Sequence, residues 1–358
     1  MTNTTVEDIL DLARWAPSPE NMQTWRFELV DDKHFVVHGF DVRDTHKLDF
    51  EGHASLLGLG ALLETITIAA SIYQLQVRFQ RRLNTPIQQH IFDVYLEQAS
   101  SLKSDSLYPY ITTRATQRHL MSPCSLTTQE KTLLEKSVGD RYRVVWLDGF
   151  KQKSAIGNLL FKADGIRFSI PEIFERDRNA VEWNSQLSED RIPDGALGIN
   201  PIAKSIMRWL ASNRKYDKLL SYVARSPLPR FEMDLLPAIF CAGHFIITAH
   251  NPLKTVDDYV AVGRCMQRFW LTATTLGIML HPEFMPLCFS DYVLNNRYPS
   301  QIERLNKQVK LLFATFTKLV GEQTVAHAVF MGRIGKSSPP KARSVRLPLN
   351  KLIKSKSS

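Results

Sequence analysis

Two long apolar segments of this chain match each other at a constant offset of 203 residues. In both segments the apolar positions recur at helical spacing, so each segment is predicted to form a buried helix. The matched positions are Gly60, Glu64, Ile66, Ile68, Ala70 and Leu75 in the first segment and Gly263, Gln267, Phe269, Leu271, Ala273 and Ile278 in the second. The match favours two tandem halves, each built around one helix; the alternative is a single unrepeated domain with two similar helices.

The elements that flank these two helices recur in the same order. Capping boxes, Thr4-x-x-Glu7 and Thr127-x-x-Glu130, predict a short helix at the start of each half. Apolar, β-branched runs predict strands at 25–30, 34–38, 77–79 and 91–96, and then at 142–147, 235–248 and 324–332. The remaining helices are predicted at 52–74, 255–276 and 297–319.

The two halves differ in length. A polar stretch at 100–106 separates them, so we assign residues 1–103 to the first half and 104–358 to the second. The second half carries an insertion at about 149–233 that the first half lacks, and insertions of this size are often lids or interaction surfaces. Its basic segment 204–225 fits a solvated helix, a lid that recognises an anionic substrate or NADPH phosphate, or a membrane-surface contact.

Composition is that of an ordinary globular chain. The 358 residues are 44% hydrophobic and 23% charged, which is typical of soluble domains. No apolar run is expected to span a membrane, and no secretory signal is expected at the N-terminus. The four cysteines are widely spaced, with no C-x-x-C pair. This spacing argues against a zinc site or a disulfide framework and predicts a cytoplasmic protein.

The chain has a net charge of +9, which raises the question of nucleic-acid binding. Much of the excess lies at 204–230 and 336–356, and neither stretch has a zinc-finger spacing or the aromatic pattern of an RNA reader. An anionic cofactor or substrate is the simpler explanation for the charge.

One short motif has the chemistry that an anionic cofactor needs. Arg114 and Arg118 lie four residues apart with Thr116 between them. Guanidinium groups form paired, charge-assisted hydrogen bonds with phosphate oxygens, so this spacing indicates a phosphate site. The alternative is a solvated basic turn.

In its context the motif resembles a signature of the FMN-dependent nitroreductase family. Arg114-x-Thr116-x-Arg118 is similar to the R-x-S-x-R sequence that binds the flavin phosphate and ribityl chain there, and threonine keeps the hydroxyl. The N-terminal stretch Pro17-Ser18-x-x-Asn21-x-Gln23-x-Trp25 resembles the family's P-S-x-x-N-x-Q-P-W segment, which reaches the isoalloxazine ring from the opposite subunit.

Two further segments extend this resemblance. The apolar helix that contains Gly60 is similar to the family's long central helix, and residues 331–335 with 344–348 resemble its C-terminal strand and trailing K-x-R-x-P. Ser344 stands where the family often has lysine, so Lys341 or Arg343 would take that role. The chain is most similar to the tandem-half subgroup, which comprises the Acg-like proteins and the nitroreductase-like proteins associated with molybdopterin biosynthesis.

The resemblance implies an α+β, nitroreductase-like fold of two tandem halves, each with a mixed sheet and long helices, which form a pseudo-dimer within one chain. One FMN would lie at the seam between the two halves. A second, pseudo-symmetric seam between the same halves would hold no flavin, because the first half has no R-x-S-x-R sequence. The implied cofactor-binding residues are Pro17, Ser18, Asn21, Arg114, Thr116, Arg118, Arg343 and Arg346. No catalytic side chain and no metal site is expected.

The function implied is that of an FMN-dependent oxidoreductase. NAD(P)H would be the donor, and a small organic molecule would accept hydride through flavin N5. The alternatives are a non-enzymatic protein that binds or sequesters flavin, and the flavin dehydrogenase subunit of a biosynthetic modification complex. The expected partner is a small-molecule substrate, without nucleic acid, and the pseudo-dimer could dimerise further.

Overall fold

The structure, a computed structural model, describes residues 4–354 of the chain. The helices are α1 Thr5–Ala13, α2 His53–Ser71, α3 Thr128–Ser137, α4 Phe150–Arg167, α5 Pro171–Ala180, α6 Pro201–Ala211, α7 Asp217–Ala224, α8 Pro227–Arg230, α9 Leu236–Ile239, α10 Val256–Thr275, α11 Met285–Leu294, α12 Glu303–Val320, α13 Glu322–His327 and α14 Leu349–Leu352. The strands are β1 Trp25–Leu29, β2 His34–Phe40, β3 Leu75–Arg81, β4 Gln89–Gln98, β5 Tyr142–Leu147, β6 Val181–Glu182, β7 Leu187–Ser188, β8 Ile192–Pro193, β9 Gly243–Ala249, β10 Ile278–Pro282, β11 Ala328–Lys336 and β12 Arg343–Ser344.

Two four-stranded sheets share one topology. In the first sheet the strand order is β1-β2-β4-β3, and in the second it is β10-β11-β9-β5. Numbered along the chain within each sheet, both orders are first, second, fourth, third. In both sheets the long helix, α2 or α10, connects the second strand to the third. The capping boxes predicted at Thr4 and Thr127 open α1 and α3.

The prediction of a mixed sheet in each half needs correction. All pairs among these eight strands are antiparallel. Within residues 4–354, the parallel contact in each of these two sheets is one bridge at an edge, between Phe27 and Ile353 and between Thr116 and Leu280. The first bridge brings the C-terminal segment onto the first sheet.

Helices α2 and α10 pack against each other through glycine. A methyl group at Gly60 would overlap the carbonyl oxygen of Val260, and one at Gly263 would overlap that of Leu57. Positions 57 and 60 correspond to 260 and 263 in the internal match, so the two contacts are reciprocal. Only glycine permits this approach of the two backbones.

Helix α2 is buried on almost all sides, as is typical of a helix at the centre of a large core. The stretch Phe50–Ser71 is, within residues 4–354, the one helical segment long and apolar enough by length and composition to cross a membrane. The prediction that no apolar run is long enough to span a membrane is therefore wrong for this segment. However, 89% of its most apolar window is buried inside the protein, where it joins the main hydrophobic core together with α10 and both sheets.

The insertion between β5 and β9 folds as helices α4 to α9 with three two-residue strands. The strand predicted from residue 235 is wrong at its start, because residues 231–235 form a π-helical turn that leads into α9. Helix α11 was not predicted, and α13 covers part of the strand expected at 324–332. Short apolar runs of this kind do not distinguish a buried helix from a strand by periodicity.

Candidate functional site

A cavity of about 350 Å³ lies where the N-terminal loop, both long helices and the insertion meet. The segments that line it are 17–21, 57–58, 114–118, 160–167, 266–270, 281–285 and 343–346. All eight residues predicted to bind the cofactor lie in its wall, namely Pro17, Ser18, Asn21, Arg114, Thr116, Arg118, Arg343 and Arg346. A cavity of this size and depth is typical of a small-molecule site.

The Arg114–Arg118 segment runs along the edge of β10. Thr116 forms a parallel bridge with Leu280. The backbone amide of Gln117 donates a hydrogen bond to the carbonyl oxygen of Leu280 at 3.0 Å. Side chains alternate in extended chain, so Arg114, Thr116 and Arg118 face the cavity while Gln117 points away and donates to Ser338 O at 2.9 Å. Four extended residues span about 13 Å, so the two arginines reach different parts of the cavity.

Arg114 belongs to a cluster with Arg343 and Arg346. Its guanidinium lies 4.5 Å from the centre of the Trp270 ring and donates to Trp15 O at 3.2 Å. Its buried Nε has no hydrogen-bond partner in the part of the chain that the structure describes. The guanidinium of Arg346 donates to Ala16 O at 3.0 Å, and that of Arg343 donates to a backbone carbonyl at 2.7 Å. These three cations are therefore held by neutral groups.

This arginine cluster carries charge that no carboxylate balances. Within residues 4–354, none of Arg114, Arg343 and Arg346 forms a salt bridge. Burial, and then repulsion from Arg343 and Arg14, lower the pKa of Arg346 to about 9. Burial and the two neighbouring arginines hold the pKa of Arg114 well below its ordinary value. Because a buried, unpaired cation is costly, this end of the cavity is suited to an anion.

Arg118 faces a different set of charges. It is half-buried, and burial followed by repulsion from Arg333 and Arg167 lowers its pKa to about 10. His281 lies in the same part of the wall, and its buried Nδ1 has no partner among the described residues. Burial and then the surrounding arginines, Arg333 first, keep the pKa of His281 well below its ordinary value. The imidazole is therefore neutral and can bind a ligand by hydrogen bonding.

The N-terminal loop has a strained backbone. Glu20, Asn21 and Gln23 have φ values of 50°, 67° and 47°, a region that residues other than glycine seldom adopt. The loop is held by its own side chains, since the amide of Gln23 donates to Ser18 Oγ at 3.0 Å. The Gln23 side chain also accepts from the amide of Leu347 at 2.9 Å, which joins the loop to the C-terminal segment.

Asn21 differs in part from the role predicted for it. Its Nδ2 lies 3.0 to 3.3 Å from the carbonyl oxygens of Ser188, Glu189, Arg191 and Val345, which share its two donor hydrogens. That nitrogen is therefore used to join the loop to the insertion and to the C-terminal segment. The buried Oδ1 has no partner among the described residues, so it is the atom of Asn21 that remains for a ligand.

The insertion supplies wall residues that the sequence did not point to. Leu160, Asp164 and Arg167 come from α4, Ile192 from β8 and Asp234 from the π-helical turn. No motif connects these residues, and the only signal was the presence of an insertion of lid-like length. Sequence reasoning also did not identify Trp270 and Glu283 as cavity residues. Each is a single residue, on an apolar helix or directly after a strand, and belongs to no sequence motif.

His244 and Glu64, two polar residues within apolar segments, are held by partners inside the protein. His244 is fully buried, and its ring nitrogens lie 2.7 Å from the Glu283 carboxylate and 2.9 Å from Ala238 O. Both neighbours are hydrogen-bond acceptors, so both ring nitrogens of His244 donate. Burial disfavours the positive charge on the imidazole, but Glu283 outweighs it and raises the pKa of His244 to about 10. Glu64 pairs with Arg264 and Arg268 at 2.7 and 2.8 Å.

Comparisons with known proteins give little. No protein-family model matches the chain, and no curated protein matches it. Among solved structures, a nitroreductase-like family protein from Bacillus cereus is similar over 71% of this chain and 97% of that chain, with 11% sequence identity and a TM-score of 0.36. That likeness is too low to assign the chain to a family.

Proposed function

We propose that this protein binds FMN in the cavity and acts as an FMN-dependent oxidoreductase with NAD(P)H as donor. The observation that carries the proposal is the cluster of buried Arg114 and Arg346 with half-buried Arg343, which no carboxylate neutralises within residues 4–354. A phosphate monoester supplies two negative charges and several acceptor oxygens. Binding one there would offset the cost of burying these cations.

The other walls of the cavity fit the remaining parts of FMN. The hydroxyl of Thr116, which lies between Arg114 and Arg118 on the cavity wall, suits the polyhydroxyl ribityl chain. Leu57, Met266 and Phe330 provide apolar surface for a flat ring. When bound, the flavin supplies hydride chemistry. With FMN bound, Arg118 would hold a positive charge in the cavity wall, which would favour a reduced, anionic ring.

The tandem arrangement supports the same proposal. Residues 17–21 and 57–58 of the cavity come from the first predicted half, and 114–118, 266–270 and 343–346 come from the second. The matching sheet topologies and the reciprocal glycine contacts are what an internal duplication would produce. We therefore propose that one chain forms a pseudo-dimer and that the ligand binds at its seam.

The test is the absorbance spectrum of the purified protein, followed anaerobically on addition of NADPH or NADH. We expect flavin bands that bleach with at least one donor. The double variant Arg114→Ala/Arg118→Ala should lose the flavin and keep its fold, whereas the control Arg78→Ala, at an arginine 54% exposed, should stay yellow. A double variant with full flavin content would overturn the assignment.

A second candidate is a protein that binds flavin without turnover. The observation that favours it is the insertion, since α4 and the π-helical turn form one wall of the cavity. Flavin bands that resist both nicotinamides would support this function. The absence of flavin, even after incubation with FMN, would contradict both candidates.

A further inference from the structure

Helix α6 of the insertion carries an apolar stripe that faces water. Ile202, Ile206 and Trp209 recur at helical spacing and are 75%, 47% and 58% exposed. A second stripe of the same helix, which includes Met207 and Leu210, is buried in a small core shared with α7. The fold of the insertion therefore uses the inner stripe and leaves the outer one exposed. Single exposed apolar side chains are ordinary, but three on one helix face form a patch.

Aromatic rings and cations continue this stripe. The Trp209 ring stacks on that of Tyr216, with 4.8 Å between the ring centres. The Lys215 ammonium lies 4.8 Å from the centre of the Tyr216 ring. On α7 the Arg225 guanidinium lies 5.5 Å from the centre of the exposed Tyr222 ring. Indole and phenol rings have an apolar body and a polar tip, which favours them at the boundary between lipid and water.

The charge of this part of the insertion is strongly positive. Residues 201–231 include seven lysines and arginines and one acidic residue, Asp217. That carboxylate is paired with Arg178 of α5 at 2.9 Å. Within residues 4–354, Lys215 and Lys218 form no salt bridge, and both are exposed. Positive charge that no carboxylate balances therefore lies beside the apolar stripe.

This combination of side chains distinguishes between possible partners. A second copy of the chain, docked through the same face, would bring like charges together, because a two-fold contact uses the same patch on both subunits. Protein interfaces are in general depleted of lysine. An anionic lipid surface suits both features, since apolar side chains enter the acyl boundary while lysine and arginine reach the phosphates.

We propose that α6 docks the protein on an anionic membrane surface. Ile202, Ile206 and Trp209 enter the lipid below the head groups, and Lys215 and Lys218 lie at the level of the phosphates. The helix lies in the plane of the surface and does not cross the bilayer. The docking residues are separate from those proposed to bind FMN, so membrane docking and flavin binding can each be tested without the other.

Sedimentation of the full-length protein with vesicles tests the docking. We expect binding to vesicles of equal parts phosphatidylglycerol and phosphatidylcholine, weakened by added salt, and little binding to phosphatidylcholine alone. The double variant Ile206→Ser/Trp209→Ser should weaken binding at least about 10-fold, because the burial of apolar side chains is lost. Lys215→Gln/Lys218→Gln should weaken it about 10- to 30-fold. The control Leu311→Ser, at an exposed leucine of the basic helix α12, should bind as the wild type does.

Several results would overturn the proposal. These are a wild type that binds neither kind of vesicle, equal binding to both kinds, and undiminished binding by Ile206→Ser/Trp209→Ser. A dimer in sedimentation velocity that this double variant converts to a monomer, without any vesicle binding, would assign the patch to a second copy instead. Because all of the substituted side chains are exposed, circular dichroism should show an unchanged fold in each variant.

Tryptophan fluorescence locates the contact. Phosphatidylcholine brominated on its acyl chains, mixed with phosphatidylglycerol, quenches only those indoles that reach the lipid. We expect quenching in the wild type and the loss of most of it in Trp209→Phe, which keeps an apolar ring and should still sediment with the vesicles. Trp146→Phe is the control, since that indole donates to Glu135 at 2.7 Å on another part of the molecule. Quenching that survives Trp209→Phe and falls in Trp146→Phe would overturn the assignment to α6.

Discussion

Gly60 of α2 and Gly263 of α10 lie directly against each other at the crossing of the two long helices. A methyl group built on Gly60 would stand 2.8 Å from Gly263 Cα, and one built on Gly263 would stand 2.9 Å from Gly60 Cα. These are also two of the positions that match in the sequence at an offset of 203. The same residue type is therefore required twice, because each helix presents its backbone to the other.

Gly60→Ala tests the importance of this crossing. On an open helix the change would raise the free energy of unfolding by about 1 kcal/mol. Here the added methyl meets a rigid backbone, so we expect a loss of about 1–3 kcal/mol, measured by urea denaturation. Gly149→Ala is the matched control, since the new Cβ would meet only the flexible side chain of Gln152, at 3.2 Å. Equal effects of the two substitutions would contradict this account.

Arg114→Met separates ligand binding from stability. The methionine keeps an unbranched side chain against Trp270 and removes a buried charge that no carboxylate balances within residues 4–354. We expect the ligand-free protein to unfold within about 1 kcal/mol of the wild type, while FMN affinity falls about 10- to 100-fold because charged hydrogen bonds are lost.

The matched comparison for Arg114→Met is Arg268→Met. That arginine bridges Glu64 and Asp105 at 2.8 and 3.0 Å. Its removal takes one cationic partner from each of these two carboxylates. Thermal unfolding should therefore show a lower stability of Arg268→Met, while FMN titration should show an unchanged affinity. A loss of stability in Arg114→Met as large as in Arg268→Met would show that Arg114 is structural.

Asn21→Asp tests the junction between the N-terminal loop and the insertion. The substitution replaces the donor Nδ2 by an acceptor that faces four backbone carbonyls. We expect the free energy of unfolding to fall by about 1–3 kcal/mol, and proteolysis within 187–193 to become faster. Asn158→Asp is the control, because among the described residues the hydrogen bond of that exposed side chain goes to Ser154 O, one turn back on the same helix. Full stability in Asn21→Asp would contradict the contacts described.

Asp93 provides a prediction on pH. The Arg82 guanidinium, bound at 2.8 Å, lowers the pKa of Asp93 from its ordinary value of 3.8 to about 2. A lowered pKa in the folded state stabilises the fold above the ordinary value, and this contribution is lost as pH falls through about 2. Because Arg82 is 47% exposed, the contribution is about 0.5–1 kcal/mol.

The measurement is the difference in urea stability between wild type and Asp93→Asn. It should stay constant from neutral pH to about pH 4 and shrink below that. Asp32→Asn, at an exposed aspartate, should show no difference at any pH. A difference that persists undiminished in acid would mean that the Asp93 pair does not supply the stability.

Local patterns account for the elements that were predicted well. The 3.6-residue periodicity and capping boxes placed α2, α3 and α10 to within a few residues, since these signals depend only on neighbours along the chain. The same reasoning missed α11, and it read the residues of α9 as part of a strand. Both helices are short and apolar on most sides, and tertiary packing decides the conformation of such segments.

By itself the sequence determined the two long helices and the glycines that match between them, and it pointed to eight of the residues that line one cavity. Only the tertiary structure decided how those residues are grouped. The strand edge at Leu280 extends the arginine segment, so Arg114 joins Arg343 and Arg346 while Arg118 does not. The positions of Asp164 and Asp234 in the cavity wall were equally hidden. Burial depends on contacts between residues far apart in the chain, and no local pattern records them.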